Sequence, residues 1–132
     1  TSLQNLALYF MNSLQPPNPL YGFVAALDGI CIEVQKPLDL YGPRYFYCRK
    51  GMYAIPAQAL VDGKYRFLYL SAKCCGSTPD GISWASTTLG LRLFREGLPA
   101  GFWMAGDAAY TSRNGIITPL TAGQLLDDEF GV

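Results

Sequence analysis

One stretch of the chain, residues 22–34, limits the possible folds more than any other part of the sequence. It reads G-F-V-A-A-L-D-G-I-C-I-E-V and is almost wholly apolar, apart from Asp28 near its centre. Because side chains alternate between the two faces of a strand, Asp28 shares one face with Ile30, whereas Leu27 and Cys31 occupy the other. Both faces are apolar, so the pattern predicts a central strand that is covered on both sides.

Asp28 is an unusual residue for such a strand. Aspartate is depleted in strands, and taking a carboxylate out of water is costly unless it is paired or binds a metal. The pattern leaves two interpretations open: a hydrogen-bonded structural aspartate, or a metal ligand that has a partner elsewhere in the chain.

Composition narrows the class of protein. The 132 residues are half hydrophobic and 15% charged, which predicts one globular domain with a real core. Formal net charge is zero, so overall charge gives no argument for nucleic-acid binding, although a local basic patch would suffice. There is no histidine, which excludes histidine triads, histidine general bases and histidine metal ligands.

The cysteines and the apolar runs predict neither a zinc site nor a membrane span. The four cysteines contain no C-x-x-C pair, and their spacing predicts reduced thiols: Cys31, Cys48, Cys74 and Cys75. No apolar run approaches about 18 residues, and no signal peptide is visible. The sequence begins at Thr1, so we expect it to be a fragment.

Residues 1–21 are predicted to form a helix followed by a linker. Leucines and Phe10 recur at helical spacing over residues 1–14, with Ser2 as a candidate N-cap. Prolines within residues 16–19 then end the helix.

The middle of the chain predicts an antiparallel hairpin. Residues 52–61 and 65–72 have strand character, and Asp62-Gly63 between them is a strong turn signal. Pro56 cannot donate to a ladder, so it predicts an edge or a bulge at that point. The aromatic, proline-containing residues 37–47 predict a loop.

One helix is predicted after this hairpin, with Thr78 as its N-cap, Pro79 at its first position and Asp80 in its first turn. Gly97 is predicted to end it. Four apolar residues supply its predicted buried stripe: Ile82, Ala85, Leu89 and Leu93.

Residues 101–110, G-F-W-M-A-G-D-A-A-Y, predict a fourth strand with Asp107 at its C-terminal end, where sites in α/β sheets are usually built. If this strand lies beside the first, Asp28 and Asp107 can reach one point. Carboxylates that converge on a hard cation are typical of Mg²⁺ sites and of phosphoryl transfer. A turn or capping role for Asp107 stays open.

Five blocks of sequence, taken in order, resemble a known family. They read A-L-D-G-I-C-I-E-V, Y-C-R-K-G-M-Y-A-I-P-A-Q-A-L-V-D, G-S-T-P-D, G-L-P-A-G-F-W-M-A-G-D-A-A-Y and I-I-T-P-L. From Gly22 onward the chain resembles the Harbinger (PIF-like) group of transposases and transposase-derived proteins, which are DDE superfamily endonucleases. The resemblance implies an α/β, ribonuclease H-like fold: a mixed sheet with three antiparallel strands, a helix, and a fourth strand beside the first, here truncated at the C-terminus.

The same resemblance implies a division of the chain and an activity. Residues 1–21 would be the N-terminal helix and linker, and residues 22–132 a partial DDE endonuclease catalytic domain. The implied activity is cleavage and strand transfer of DNA phosphodiesters with Mg²⁺ or Mn²⁺. Its partners would be transposon-end and target DNA, with room for a separate DNA-binding protein, and its location the nucleus.

Site residues carry over by motif. Asp28 matches the first catalytic, metal-binding aspartate of the family, and Asp107 matches the second. Asp80 matches the acid of the G-S-T-P-D block, where helix capping and support of the site are both open. Arg49 and Lys50 match an R-K-G block and are candidate contacts to DNA phosphates, with a solvated loop as the alternative.

One expected acid has no match. The third acid of the family is a glutamate on a later helix, and Glu129 precedes the region where that helix would begin, so Glu129 is not assigned. The resemblance therefore predicts two of three metal carboxylates and an inactive fragment. A transposase-derived, non-catalytic DNA-binding or scaffold protein and an inert remnant are the alternatives.

Overall fold

Helices and strands are interspersed along the chain in a mixed α/β order. The computed structural model describes residues 2–13 and 21–120, so the predicted linker prolines, Leu14 and Glu129 lie outside the described residues. The elements are α1 (Leu3–Ser13), β1 (Phe23–Glu33), α2 (Gly42–Phe46), β2 (Ala54–Val61), β3 (Phe67–Ser71), α3 (Asp80–Ala85), α4 (Thr88–Glu96), β4 (Trp103–Gly106) and β5 (Ile116–Ile117). In the described ranges, no helix is long and apolar enough to span a membrane.

The strands form one mixed sheet in the order β3-β2-β1-β4-β5. β1 and β2 are antiparallel, as are β2 and β3, whereas β4 is parallel to β1 and β5 is parallel to β4. The predicted antiparallel order of the first three strands and the predicted adjacency of the first and fourth strands are both confirmed.

The first strand is central, but only its first half is covered. The side chains of Phe23 to Leu27 are mostly buried, whereas Ile30 is 57% exposed and Ile32 is 47% exposed. β4 ends at Gly106, opposite Leu27, so β1 continues beyond its neighbour on that side. The prediction of a strand covered throughout is therefore wrong for its second half, and Asp28 lies exposed at the boundary.

The core lies between β1, β2, β4 and the helices. Its buried members are Leu6, Ala7, Val24, Ala25, Leu27, Leu60, Trp84, Met104 and Tyr110. The helix α1 contributes the first two and packs against β1. Its predicted N-cap is confirmed, because Ser2 Oγ accepts a hydrogen bond from the Asn5 amide at 3.3 Å.

Pro56 lies in an interior strand, but at a position where the backbone nitrogen has no strand partner for a hydrogen bond. The Val34 amide donates to the Tyr53 carbonyl at 2.9 Å. Because hydrogen-bonded and non-hydrogen-bonded pairs alternate in antiparallel sheets, the Cys31–Pro56 pair is a non-hydrogen-bonded one, and the Pro56 nitrogen points away from β1. β3 extends only as far as the residue opposite Gln58. Pro56 therefore faces a local edge, as the sequence predicts.

Asp62 organises the predicted hairpin between β2 and β3. Its Oδ1 accepts hydrogen bonds from the amides of Lys64 (2.9 Å) and Arg66 (3.0 Å), and its Oδ2 lies 2.7 Å from Arg66 Nη2. Burial alone would raise the pKa of Asp62, but the hydrogen bonds from Arg66 and Lys64 outweigh it and lower that pKa. The turn is held by a buried, ionised carboxylate.

We expect Asp62→Asn to remove an acid-sensitive part of the stability. A carboxylate whose folded pKa is depressed contributes stability that is complete above its unfolded pKa of about 3.9 and is lost as pH falls through the folded value. Wild type should therefore lose more free energy of unfolding than Asp62→Asn between about pH 5 and pH 2.5 in urea denaturation. Asp62→Ala, which also leaves two amides unpaired, should cost about 2 kcal/mol at pH 7. Equal acid sensitivity in wild type and Asp62→Asn would contradict this assignment.

Residues 37–47 are not all loop, which corrects the sequence prediction. They contain the short helix α2, in which Pro43 lies in the first turn, where a proline needs no hydrogen-bond partner. Asp39 Oδ1 accepts a hydrogen bond from the Gly42 amide at 2.6 Å and so fixes the start of this helix. The proline that indicated a break instead begins a helix.

The single helix predicted after Thr78 is two helices. Thr87 is buried, accepts from the Gly90 amide at 2.9 Å and donates to the Trp84 carbonyl at 2.8 Å, so its hydroxyl caps α4 and ends the preceding turn. The predicted stripe is wrong in its first half, because Ile82 and Ala85 are exposed. Two later members are half-buried against the core: Leu89 and Leu93.

The start of α3 also differs from the prediction. The N-cap is Pro79 rather than Thr78, and it makes no side-chain capping bond. Asp80 is the first helical residue, so its predicted place in the first turn holds. At the far end, Gly97 follows α4 with a φ of 68° and its amide donates to the Leu93 carbonyl, as predicted for a helix end.

Candidate acidic site

The two predicted carboxylates follow paired positions in neighbouring parallel strands. Leu27 of β1 lies opposite Gly106, the last residue of β4, and Asp28 and Asp107 are the residues that follow these two along the chain. Both line one cavity of about 590 Å³ at this end of the sheet. The sheet order thus brings together two acids that are remote in sequence.

Each carboxylate uses one oxygen locally. Asp28 Oδ1 accepts from the Gly29 amide at 2.8 Å, and Asp107 Oδ1 accepts from the Ala109 amide at 2.9 Å. Within residues 2–13 and 21–120, the Oδ2 atom of each has no hydrogen-bond partner. The turn role that the sequence left open for Asp107 is therefore present, and it leaves a second oxygen exposed.

Asp80 enters the same cavity from α3. Its Oδ1 accepts from Gln58 Nε2 at 3.0 Å, and its Oδ2 lies 3.7 Å from Arg49 Nη2. Its contacts are therefore with Gln58 and Arg49, and it is the first residue of α3 rather than its cap; support of the site stays a prediction.

Gly29 is the residue that allows Asp80 to approach the strand. A Cβ placed at position 29 would lie 2.6 Å from Asp80 Cγ and 2.9 Å from Gln58 Nε2, closer than side-chain packing permits. The glycine after Asp28 is thus required by close approach of a carboxylate and an amide, not by its backbone angle.

We expect Gly29→Ala to displace Asp80 and destabilise the fold. Relief of the clash requires the Asp80 carboxylate, the Gln58 amide or α3 to shift, which costs about 1–3 kcal/mol where the interior is overpacked. Urea denaturation of Gly29→Ala measures the cost. In an Asp80→Ala background, where the nearest contact is gone, the same substitution should cost less. An equal cost in both backgrounds would show that Asp80 is not the obstacle.

Two polar residues of the site were missed by sequence reasoning: Gln58 and Tyr110. Gln58 has no exposed surface, and its Oε1 accepts from Tyr110 Oη at 2.7 Å. Burial, with added repulsion from Asp80, Asp28 and Asp107, raises the pKa of Tyr110, so the phenol is a hydrogen-bond donor at neutral pH. The signal was available, because Gln58 is a polar residue within an apolar strand, as Asp28 is.

Arg49 and Lys50 form the basic side of the cavity. They occupy the two corner positions of a turn that closes when the Gly51 amide donates to the Cys48 carbonyl at 3.0 Å. Gly51 adopts a φ of 78°, which favours glycine at that position. Arg49 has 82% of its side chain exposed, so its guanidinium is available to a ligand as well as to Asp80.

The cysteines and acids of the described residues form no closed metal centre. All four cysteines are free thiols, as the sequence predicts. Among the residues that the structure describes, no three cysteine, aspartate or glutamate side chains are close enough to hold a metal ion together. The cavity therefore offers an open pair of carboxylates, with a third nearby that is already engaged.

A polar cavity at the ends of neighbouring parallel strands is where α/β enzymes place their chemistry. A family model described as DDE superfamily endonuclease matches residues 27–129. The chain therefore belongs to the DDE superfamily endonucleases. This family comprises transposase-type nucleases that act on DNA and generally use divalent metal ions. No curated protein and no solved structure matches the chain.

Proposed function

We propose that this chain is the DNA-cleaving domain of a Harbinger-type transposase, which cuts and joins DNA phosphodiesters with Mg²⁺ or Mn²⁺. The observation that carries the proposal is the placement of Asp28 and Asp107 directly after paired residues of adjacent parallel strands, in one cavity. We place the catalytic domain at residues 22–132, after the helix and linker of residues 1–21.

The chemistry of the acids fits a hard divalent ion. Mg²⁺ is commonly held by one or two carboxylates, retains several waters and completes its shell with substrate phosphate. Asp28 and Asp107, two exposed residues that each use only Oδ1 in a local hydrogen bond, would hold the ion. Bound there, the ion would supply Lewis-acid stabilisation of the phosphoryl oxygens.

The other residues of the cavity would bind and orient the substrate. Arg49 and Lys50, on their exposed turn, would contact the phosphates that flank the scissile bond. Asp80 would support the site through its contacts rather than as a third ligand, because Gln58 and Arg49 already engage both of its oxygens.

Two further parts of the proposal follow from the family resemblance. The sheet, with its antiparallel first three strands and a fourth strand beside the first, supports a ribonuclease H-like fold. By the same resemblance, the enzyme would work in the nucleus, and a separate DNA-binding protein would bring it to the transposon ends.

A second candidate is a transposase-derived protein that binds DNA or serves as a scaffold without cutting. What favours it is that, within the described part of the chain, the acids do not form a group of three able to hold a metal. Such a protein would use the basic turn of Arg49 and Lys50 but not the Oδ2 atoms of Asp28 and Asp107.

The test is a nicking assay on cognate end DNA with and without Mg²⁺. The full-length protein that contains this chain should nick only with the metal, and the isolated chain should bind Mn²⁺ weakly without turnover. DNA binding by the full-length protein, with no nicking at any metal concentration, would favour the second candidate.

A further inference from the structure

Four side chains form a continuous path from the core to the rim of the acidic cavity. Tyr110 Oη donates to Gln58 Oε1 at 2.7 Å, and Gln58 Nε2 donates to Asp80 Oδ1 at 3.0 Å. Asp80 Oδ2 then lies 3.7 Å from Arg49 Nη2. The path joins β2, α3 and the segment after β4 to the basic turn.

The inner half of the path is fixed by burial. Gln58 has no exposed surface, and Tyr110 is buried in the core cluster. A buried amide that lost either partner would leave a polar group unsatisfied, which is costly in the interior. Gln58 therefore has one orientation in which both of its ends are paired, and in that orientation its N–H points at Asp80.

The outer half of the path ends in solvent, because 82% of the Arg49 side chain is exposed, against 21% for Asp80. An exposed ion pair adds little to stability, and at 3.7 Å with Arg49 largely in solvent this one is no exception. Its consequence is orientation: because Gln58 occupies Asp80 Oδ1, Oδ2 is the oxygen that faces the guanidinium. The ion pair between Arg92 and Glu96 is more exposed, with 71% and 61% of the two side chains in solvent, and neither residue bonds to Gln58 or Tyr110.

We propose that Tyr110, Gln58 and Asp80 are positioning residues that hold the Arg49 guanidinium at the cavity rim, where it receives a DNA phosphate. The inference rests on the proposed function for the presence of DNA in the cavity. It assigns Asp80 a specific task, which is to aim a cation rather than to bind the metal. It also explains why a glutamine occupies the centre of an apolar strand.

The experiment measures affinity for a DNA duplex by fluorescence anisotropy over a series of salt concentrations, using the full chain. Arg49→Gln should reduce the slope of log affinity against log salt by about 0.9, the value for one lost phosphate contact. Tyr110→Phe and Gln58→Met should each weaken binding about five-fold and reduce the slope in the same direction. Adding either change to Arg49→Gln should weaken binding no further.

Two matched variants serve as controls. Arg92→Gln removes an exposed, ion-paired arginine outside the cavity, and Tyr69→Phe removes a phenol that packs on Trp84 without joining the path. Both should leave the salt slope unchanged. If Gln58→Met does not fold, Tyr110→Phe alone carries the test, because it removes one hydroxyl and keeps the ring.

Three outcomes would overturn the positioning role, the proposed function or both. Equal weakening by Tyr110→Phe in the wild-type and Arg49→Gln backgrounds would reject the positioning role alone. DNA binding that follows the expected slopes, without metal-dependent nicking, would reject the proposed function and keep the positioning of Arg49. No DNA binding by the wild-type chain would reject both.

Discussion

Asp28→Asn and Asp107→Asn are each expected to abolish Mg²⁺-dependent nicking by the full-length protein. Hard cations select ionised oxygen ligands, and an amide keeps the size of the carboxylate but not its charge. Loss of a group that merely supports a metal ligand costs about 10–100-fold, so loss of a direct ligand should cost at least about 100-fold in metal affinity or activity. The fold should survive, because an asparagine oxygen still accepts from the Gly29 or Ala109 amide.

Asp39→Asn is the matched control for these two variants. Asp39 also accepts a backbone amide through Oδ1, but it lies outside the residues that line the cavity. Mn²⁺ binding by electron paramagnetic resonance and nicking of end DNA should therefore be normal in Asp39→Asn. Unchanged nicking in Asp28→Asn or Asp107→Asn would rule out the metal assignment for that residue.

The placement of Asp28 and Asp107 in one cavity could be predicted because each acid belongs to a sequence pattern that is visible locally. An apolar strand with one acid, and a short apolar run that ends in another, are visible in the sequence without knowledge of contacts. Only their adjacency needed a further assumption, namely that the first and fourth strands are neighbours, and the sheet order bears it out. The proposed roles of both acids rest on the family resemblance as well.

The remaining features depend on contacts between distant residues, which local patterns do not report. Gln58 and Tyr110 are 52 residues apart, and the sequence around each residue does not indicate that the other is its hydrogen-bond partner. The break at Thr87 depends on a hydroxyl that bonds in both directions along the chain. The exposure of Asp28 depends on where β4 ends, which the local sequence does not report, so the predicted burial of this carboxylate is wrong.

Trp84→Ala is expected to cause the largest loss of stability. Trp84 is only 6% exposed, belongs to the core cluster and meets the Tyr69 ring edge-on at 6.3 Å. Truncating a buried tryptophan to alanine costs about 3–5 kcal/mol, a large part of the 5–15 kcal/mol that holds a typical domain folded. Trp103→Ala, which removes a tryptophan that is 39% exposed, should cost about 1–2 kcal/mol in the same urea denaturation.

Trp84→Ala also tests how closely the site depends on the core. Trp84 and Asp80 lie on the same short helix, α3, and the Trp84 carbonyl accepts the Thr87 hydroxyl that ends it. If packing of Trp84 fixes the position of α3, it also fixes the position of Asp80. Trp84→Ala should then weaken DNA binding as well as stability, even at temperatures where the chain is still folded. Trp103→Ala, on a different element, should not. A folded Trp84→Ala with wild-type stability would mean that the core is held by β1, β2 and β4 without α3, and that Asp80 is anchored through Gln58 alone.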